Sequence, residues 1–376
     1  MAGLRGPDSS EDEHRFDEYA VLPETVDVNI RQLDPIPAPR AFLREIPLTD
    51  EMSSLVLSSR QAIRNVLRGK DDRLLVIVGP CSIHDPKAAH EYASRLAQVN
   101  ERLKDRLLIV MRVYFEKPRT TIGWKGLIND PDLDGRCNIR KGMWLARKVL
   151  TDVLSQGLPA ATEWLDPITP QYFCDLVSWG AIGARNTESQ VHRELASGLS
   201  MPIGFKNSTD GSVKAAADSC YTSAFEHHFL SINLDGRVIS AETKGNPDCH
   251  LVLRGSSKGP NYDENSVQEA LAALRASKAT GPSEQGVVID AAHGNSGKDE
   301  VREAEVVEEI AARLAAGERG ILGVMMESFL EAGNQKPAPL EQLTYGKSIT
   351  DACIPWDRTE ALLNTLAQAV SSRRAL

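Results

Sequence analysis

Short apolar runs recur along the chain, and each ends at a polar or glycine-containing segment. The first, Leu74-Leu75-Val76-Ile77-Val78, stops at Gly79-Pro80. A short run that is apolar at every position is typical of a strand buried on both faces, as in a parallel sheet. Seven more runs have this character: Leu107 to Phe115, Pro159 to Leu165, Ala181 to Arg185, Pro202 to Lys206, His250 to Arg254, Gly286 to Asp290 and Ile321 to Met326.

Helical periodicity separates most of these runs. The predicted helices are His90 to Leu103, Gln171 to Trp179, Ser212 to Cys220, Val267 to Ala276 and Asp299 to Leu314. Eight strands that alternate with helices favour an α/β fold of the (β/α)8 TIM barrel type over an open doubly wound sheet. We expect the barrel to form the catalytic domain over residues 73–376.

Two intervals, 120–157 and 207–249, are longer than the repeat requires. The second contains two β-rich runs, 229–233 and 238–243, on either side of Asp235-Gly236, which is typical of a β-hairpin. We expect an inserted hairpin at about 227–247 on the outside of the barrel, where it is free to serve regulation or assembly.

The N-terminal region reads differently from the rest of the chain. Residues 1–26 are acidic and polar and predict a disordered tail. Residues 27–72 predict an N-terminal arm and a helix. Pro35, Pro37 and Pro39 favour an extended arm up to Arg44, and a helix is expected between Thr49 and Leu67.

Composition narrows the classes of function. The 376 residues include 43 Lys+Arg and 52 Asp+Glu, and 43 − 52 gives a net charge of −9, which argues against general binding to nucleic acid or to an anionic membrane. No apolar run approaches the roughly 20 residues of a membrane span, and the acidic start lacks an apolar signal core, so we expect a cytoplasmic protein. Six scattered cysteines are then expected to be reduced.

Cationic residues lie at or just after the ends of four of the predicted strands. They are Arg112, Lys117, Arg119, Arg185, Lys206 and Arg254. The carboxyl ends of barrel strands meet at one rim, where barrel enzymes carry their active sites. Any one cation could simply pair with a neighbouring loop. All six together, in an acidic protein, predict a polyanionic ligand, and two phosphate-bearing substrates would account for the number.

A second set predicts a metal site. Cys81, His293 and Glu327 follow the first, seventh and eighth strands, which barrel closure makes neighbours, and Asp351 could return to supply a fourth ligand. Thiolate, imidazole and carboxylate together suit Mn, Fe, Co or Zn better than Mg or Ca. The alternatives are a core cysteine, a structural or general-base histidine and, at Lys206, a Schiff-base aldolase.

Several strand-end motifs are long enough to be compared with a known family. GPCSIHD (79–85), RVYFEKPRTT (112–121), WGAIGAR (179–185), DCHLVLRG (248–255) and GKSITDACI (346–354) resemble class I 3-deoxy-D-arabino-heptulosonate 7-phosphate (DAHP) synthase of the type I alpha group, over roughly residues 27–372. The resemblance implies a (β/α)8 transferase for the first step of the shikimate pathway. Such an enzyme condenses phosphoenolpyruvate with erythrose 4-phosphate and water and releases phosphate.

The resemblance also implies roles for individual residues. The metal ligands would be Cys81, His293, Glu327 and Asp351. Phosphoenolpyruvate would be bound by Arg112, Lys117, Arg185, Lys206 and Arg254. The aldose phosphate would be bound by Arg119 and Thr120, with Asp351 also facing substrate. Lys117, Arg112, Cys81 and His293 would be the catalytic residues. The KPRT segment 117–120 favours the four-carbon aldehyde over the five-carbon one of the related octulosonate synthase.

Feedback by an aromatic amino acid is implied in the same way. The expected site residues are Asp27, Asp166, Pro170, Leu195, Leu199, Ser200, Phe229 and Ser231. Phenylalanine is favoured because Ser231, where tyrosine-sensitive relatives tend to have glycine, leaves less room for a phenol hydroxyl. The alternative is that these residues only pack the arm and a subunit interface. A homodimer or homotetramer is expected.

Four positions depart from the family pattern: Asn186, Ser208, Ala292 and Gly294. Loss of a hydroxyl beside His293 could change how that ligand is oriented. Two alternatives therefore stay open, a paralogue that uses another aldose phosphate in secondary metabolism and an inactive regulatory subunit. The retained metal and phosphate residues argue against the second.

Overall fold

The computed structural model describes residues 26–119, 123–278 and 286–376. The strands are β1 (Leu74–Gly79), β2 (Leu107–Arg112), β3 (Ala160–Glu163), β4 (Trp179–Ile182), β5 (Ile203–Lys206), β6 (His228–Ile232), β7 (Val238–Glu242), β8 (Cys249–Leu253), β9 (Val287–Asp290) and β10 (Ile321–Glu327). Eight of them close into a barrel of parallel strands in the order β1-β10-β9-β8-β5-β4-β3-β2. The predicted (β/α)8 fold is confirmed.

The helices precede, connect or follow the barrel strands. They are α1 (Pro39–Glu45), α2 (Asp50–Leu67), α3 (Pro86–Leu103), α4 (Ile139–Ser155), α5 (Pro170–Phe173), α6 (Gln190–Gly198), α7 (Val213–Ser223), α8 (Glu264–Ala276), α9 (His293–Ser296), α10 (Glu300–Ala315) and α11 (Trp356–Arg374). Side-chain caps define several starts: the Thr49 hydroxyl accepts the Met52 N–H before α2, and the Asp299 carboxylate accepts two N–H groups before α10.

The barrel strands are buried along almost their whole length, because one face lines the interior and the other packs under the helices. Every residue of β1 and of β2 is buried. This explains why the apolar runs are continuous rather than alternating. The core cluster includes Leu75, Ile77, Val110, Trp179, Val252, Val288 and Met325.

Two segments differ from the sequence expectation. The predicted extended arm gives way to helix α1 at Pro39, because proline fits the first helical position, where no N–H partner is required. The long interval 120–157 is only partly an insertion, since it also contains the regular barrel helix α4. The sequence analysis did not recognise the helical periodicity of α4, because a long loop precedes it in the same interval.

The inserted hairpin is β6 paired antiparallel with β7, with Phe229 opposite Ala241 and Ser231 opposite Ile239. Its turn contacts α1, where the Arg40 N–H donates to the Leu234 carbonyl at 2.8 Å.

The chain divides into two compact units, residues 1–36 and residues 37–376, and the barrel lies in the second. In the described part of the first, the Ile30 N–H donates to the Asp27 carbonyl at 2.8 Å, and Asp27 has a positive φ of 57°. Among the described residues, no helix is both long and apolar enough to cross a membrane.

Candidate active site

A cavity of about 270 Å³ opens at the carboxyl end of the barrel. Five of the six predicted cations line it: Lys117, Arg119, Arg185, Lys206 and Arg254. His293 and Asp351 lie on the same wall, and Thr120 lies outside the described residues. A cavity lined mainly by cationic groups is suited to an anionic ligand.

The sixth cation, Arg112, lies beneath this cavity with its side chain buried. Its Nη2 donates to Glu327 Oε1 at 2.8 Å and its Nε donates to the Pro80 carbonyl at 3.1 Å. The guanidinium carbon is 3.5 Å from the centre of the Tyr114 ring. Burial alone would lower the pKa of Arg112, but Tyr114 and Glu327 raise it, so the group stays charged. Arg112 therefore places a fixed positive charge under the site.

Lys117 lies over Cys81. Its Nζ is 3.1 Å from the Cys81 Sγ and 3.1 Å from the Cys81 carbonyl oxygen. Burial would lower the pKa of Lys117, but Cys81 and Glu327 reverse the effect and the net shift is upward. Burial raises the pKa of the Cys81 thiol, Glu327 raises it further, and Lys117 opposes both. The pKa values of both Cys81 and Lys117 are thus raised, and both groups keep their protons unless another positive charge approaches the sulfur.

Three of the predicted metal ligands come together at this point. One ligand atom each of Cys81, Glu327 and Asp351 lies within 4.8 Å of the other two. His293 adjoins them, with its Nε2 3.6 Å from Glu327 Oε1. A soft thiol, two carboxylates and an imidazole in one small volume are the donors that suit a divalent transition metal, so the residues present fit such an ion.

Electrostatics keep the two carboxylates ionised. Burial would raise the pKa of Glu327, but His293 and Arg112 outweigh it, and the net shift is downward. The same holds for Asp351, where His293 and Lys117 lower the pKa against the effect of burial. Both carboxylates are therefore ready to bind a cation.

Asp290, the last residue of β9, is a site residue that the sequence analysis did not single out. Its Oδ2 accepts a hydrogen bond from Lys206 Nζ at 2.8 Å and lies 2.9 Å from His293 Nδ1. The second contact has ion-pair distance but not hydrogen-bond geometry. Burial would raise the pKa of Asp290, yet His293 and Lys206 hold it well below its usual value. Its position three residues before His293 was the available signal.

Three further side chains were also missed. Lys298 lines the cavity, with its Nζ 3.0 Å from Asp351 Oδ1, and Glu163 lines the opposite part. Glu303 on α10 is buried, and its Oε1 accepts the Glu327 N–H at 2.6 Å. Lys298 and Glu163 follow or end barrel strands, so their position in the sequence could have indicated them. Glu303 lies inside a helix, where none did.

Local contacts are seen at three of the four departures from the family pattern. The Ser208 hydroxyl donates to Asp210 within its own loop, and the Asn186 N–H donates to the Gly183 carbonyl. A Cβ at position 294 would overlap the backbone nitrogen of Ser256, so Gly294 lets the loop after β8 pack closely beside His293. Nothing in the structure explains Ala292.

The residues predicted to bind an inhibitor lie on three adjoining segments, apart from Asp27 in the other unit. Asp166 accepts the N–H groups of Ile168 and Thr169, just before Pro170 begins α5. The other segments are α6 with its end, which carries Leu195, Leu199 and Ser200, and strand β6, which carries Phe229 and Ser231.

Two contacts tie these three segments together. His192 Nε2 lies 2.8 Å from the Leu165 carbonyl, which joins α6 to the loop that carries Asp166. The Ser197 hydroxyl lies 2.7 Å from the Thr243 hydroxyl, which joins α6 to the end of β7. The hairpin and the loop are therefore both anchored to the same helix.

Comparison with known proteins gives a consistent result. The sequence profile of the DAHP synthetase I family matches residues 46–364. The Phe-sensitive phospho-2-dehydro-3-deoxyheptonate aldolase of Escherichia coli K12 is 53% identical over 93% of this chain and 98% of its own length. The Trp-sensitive aldolase of Enterobacter agglomerans is 48% identical over 93% of this chain and 99% of its own length.

A solved structure agrees with the sequence matches. Phospho-2-dehydro-3-deoxyheptonate aldolase from Francisella tularensis SCHU S4 superposes with a TM-score of 0.89 at 48% identity, covering 92% of this chain and 100% of that one. Profile, relatives and structure all agree with the barrel and its strand-end motifs. The chain belongs to the DAHP synthetase I family.

Proposed function

We propose that the chain is a metal-dependent DAHP synthase that condenses phosphoenolpyruvate with erythrose 4-phosphate and water to give DAHP and phosphate. The observation that carries the proposal is that Asp351 belongs to two features, since it lines the cation-lined cavity and also lies beside Cys81 and Glu327. Phosphorylated substrates explain the first feature and a divalent metal explains the second.

The cations divide between the two substrates. Lys117, Arg185, Lys206 and Arg254 line the cavity together and would bind the phosphate and carboxylate of phosphoenolpyruvate, with Arg112 adding positive charge from below. Arg119, in the same wall, would bind the aldose phosphate together with Thr120. Its Nε donates to the Trp124 carbonyl at 2.7 Å, which restricts the side chain before substrate arrives.

The metal would be held by Cys81, His293, Glu327 and Asp351. A bound Mn, Fe, Co or Zn ion supplies Lewis acidity at the aldehyde carbonyl, which makes that carbon electrophilic. Asp290 would orient the His293 ring from the side away from the cavity, because it lies 2.9 Å from Nδ1.

The chain's own residues would direct the remaining chemistry. C3 of phosphoenolpyruvate forms a bond to C1 of the aldehyde, water adds at C2, and the C2–O bond to phosphate then breaks. Lys206, Lys117 and Arg112 would stabilise the phosphate throughout, because Asp290, Cys81 and Glu327 already fix their positions. Lys117 keeps its proton at Nζ, close to Cys81, where developing negative charge on the aldehyde oxygen would be nearest.

Regulation and assembly form the second part of the proposal. Phenylalanine would bind at the junction of the Asp166 loop, α6 and β6 and would inhibit the enzyme. The relatives named above include both a Phe-sensitive and a Trp-sensitive enzyme, so the choice of inhibitor rests on Ser231. The exposed apolar hairpin residues Leu230 and Val238 would be covered in a homodimer or homotetramer, and the biosynthetic role favours a cytoplasmic location.

The test is phosphate release from phosphoenolpyruvate by chelator-stripped protein reconstituted with Mn²⁺. Release is expected with erythrose 4-phosphate but not with arabinose 5-phosphate, and chelator should abolish it. Arg254→Met is expected to lose at least about 100-fold in kcat/KM, because it removes a fixed charge on the substrate. The matched control Lys214→Met changes an exposed lysine outside the cavity.

Two results would contradict the proposal in different ways. Release with arabinose 5-phosphate alone would identify a paralogue with another acceptor. No release with either sugar under any of the four metals, in protein that still binds phenylalanine, would identify a regulatory subunit.

A further inference from the structure

Glu303 is a buried carboxyl group that the proposed reaction does not use. Glu303 lies on α10, where it contacts the end of β10, and the residue is 1% exposed. Its neighbours on the buried face of α10 are apolar, including Ala304, Val307 and Ile310. A carboxyl group in such surroundings costs free energy unless a specific partner compensates it. The partner therefore indicates what the residue does.

That partner is a backbone group rather than a cation. Among the described residues, no ion pair involves Glu303, and its Oε1 accepts the N–H of Glu327 at 2.6 Å. A structural salt bridge is therefore excluded as the reason for the residue within the described parts of the chain. What Glu303 contacts is the main chain of a predicted metal ligand.

The position of this hydrogen bond follows from how the barrel ladder ends. The Ala291 N–H donates to the Met325 carbonyl at 2.9 Å, and beyond that point β9 turns away into α9. The next N–H on this side of β10 belongs to Glu327, and Glu303 accepts it in place of a strand. Without Glu303 this buried N–H would lose its acceptor, and an unpaired buried N–H is unfavourable.

The other groups of Glu327 are also fixed. Its carbonyl accepts the Ile354 N–H at 2.9 Å, and its Oε1 accepts from Arg112 Nη2 at 2.8 Å. Glu303 supplies the remaining main-chain contact. The strand end is thus held from α10, from the segment after Asp351 and from β2.

We propose that Glu303 is a positioning residue for the metal centre: its side-chain carbonyl oxygen holds the peptide of Glu327, so that the Glu327 carboxylate stays beside Cys81 and Asp351. The proposal rests on the proposed metal centre and adds a residue outside the ligand set. Partners that orient metal ligands typically contribute 10–100-fold to affinity. Metal affinity is therefore the property that Glu303 sets.

The experiment compares three variants of the full chain after metal removal. Each is titrated with Mn²⁺, and free Mn²⁺ is followed by its electron paramagnetic resonance signal. Glu303→Gln keeps a carbonyl acceptor and is expected to bind within about twofold of the wild type, whereas Glu303→Leu is expected to bind at least about tenfold more weakly. Val307→Ala, a cavity variant on the same helix face, is expected to lose stability but not affinity.

A second readout does not depend on the metal. Amide hydrogen exchange at Glu327 in the metal-free protein is expected to be slow in the wild type and in Glu303→Gln and faster in Glu303→Leu, because only the last lacks the acceptor. Thermal unfolding of Glu303→Leu and Val307→Ala shows whether the two are destabilised to a similar degree, which separates loss of positioning from general loosening.

Three results would overturn the proposal. Wild-type affinity in Glu303→Leu would show that the contact is dispensable, and weak binding in Glu303→Gln would show that the carbonyl acceptor is not what matters. Failure of the wild type itself to bind Mn²⁺ would remove the metal centre, and this outcome is distinguishable because the exchange pattern at Glu327 would still report the hydrogen bond.

Discussion

The carboxyl end of the barrel buries both charged pairs and apolar side chains, whereas the inserted hairpin exposes both. In the barrel, the Lys206–Asp290 and Arg112–Glu327 side chains are at most 4% exposed. At the hairpin, the Arg40–Asp235 pair is about half exposed, at 46% and 51%. Apolar residues follow the same trend: every residue of β1 and β2 is buried, whereas Leu230 on β6 is 80% exposed and Val238 on β7 is 74% exposed.

This difference shows where each region obtains its partners. The Lys206–Asp290 and Arg112–Glu327 pairs each join the ends of two different barrel strands, so closure of the barrel is enough to form them. The hairpin leaves large apolar side chains in solvent, which is costly for an isolated surface but ordinary for one that a ligand or a second subunit covers. The buried charge pairs of the barrel end need no further partner, whereas the exposed apolar surface of the hairpin does.

The largest effect is expected from breaking a buried pair in the barrel. Lys206→Met removes the cation that compensates Asp290, which leaves a buried carboxylate with His293 alone. We expect the free energy of unfolding to fall by about 3 kcal/mol, measured by urea denaturation. Lys214→Met is the matched control, because its pair with Asp218 is exposed, and no measurable change is expected.

The double variant Lys206→Met/Asp290→Asn sharpens this result. Removing both charges is expected to restore part of the lost stability, because no unpaired carboxylate remains. If the single variant were as stable as the wild type, the buried pair would contribute nothing, and the contrast with the hairpin would fail.

An effect of similar size, spread over a range of pH, is expected from His250, a fully buried residue of β8. Trp179 Nε1 donates to His250 Nε2, and His250 Nδ1 lies 3.1 Å from the Asp248 carbonyl, so the neutral ring satisfies both neighbours. Burial lowers the pKa of His250 to about 4 from 6.5. The unfolded chain therefore takes up a proton that the folded chain excludes.

Stability linked to this residue is complete above about pH 6.5 and is lost as the pH falls towards 4, by about 3 kcal/mol in total. Urea denaturation at pH 7, 5.5 and 4.5 measures it. His250→Gln is expected to lose less stability than the wild type between pH 7 and pH 4.5, because it lacks this titrating group. An unchanged slope in the variant would show that His250 carries no such linkage.

At the hairpin, truncation is expected to change inhibition instead of stability. Phe229→Ala removes an aromatic side chain from the predicted inhibitor site, so we expect the Ki for phenylalanine to rise about tenfold, with kcat/KM unchanged. Leu230→Ala is the control, because adjacent strand residues face opposite sides. Equal effects of the two variants on Ki would contradict the assignment of Phe229.

The smallest effect is expected from Arg40→Ala, which removes the exposed pair with Asp235 at the hairpin turn. Its thermal unfolding midpoint should match that of the wild type within error, because solvent screens such pairs. A clear loss would show that the hairpin depends on α1 for its position, and would bring its behaviour closer to that of the barrel.

Much of the barrel could be predicted because its physics is local. A strand buried on both faces must be apolar throughout, and the residues at its end line the rim of the barrel. Cys81, Glu327 and Lys206 were therefore identifiable from their position after apolar runs. The same reasoning placed Asp290 at a strand end, although a carboxylate there did not by itself indicate a partner.

The remainder depends on contacts between distant parts of the chain. Glu303 fits the polar pattern of α10, and only the observed hydrogen bond to Glu327 shows that it faces inward. Helix α1 begins at a proline that sequence reasoning assigned to extended structure. The role of Ser231 depends on a ligand, and no pattern in the chain alone determines it.

The order of the ligands along the chain has a consequence for biosynthesis. Cys81 follows β1, the first barrel strand, whereas Glu327 ends β10, the last, and β1 pairs directly with β10. A nascent chain on the ribosome therefore carries the thiol long before it carries the carboxylates. Such a chain cannot assemble the donor set until the last strand has been synthesised and has paired with the first. Loading of the proposed metal centre would thereby be restricted to nearly finished molecules, and a chain truncated before Ile321 would have no such centre.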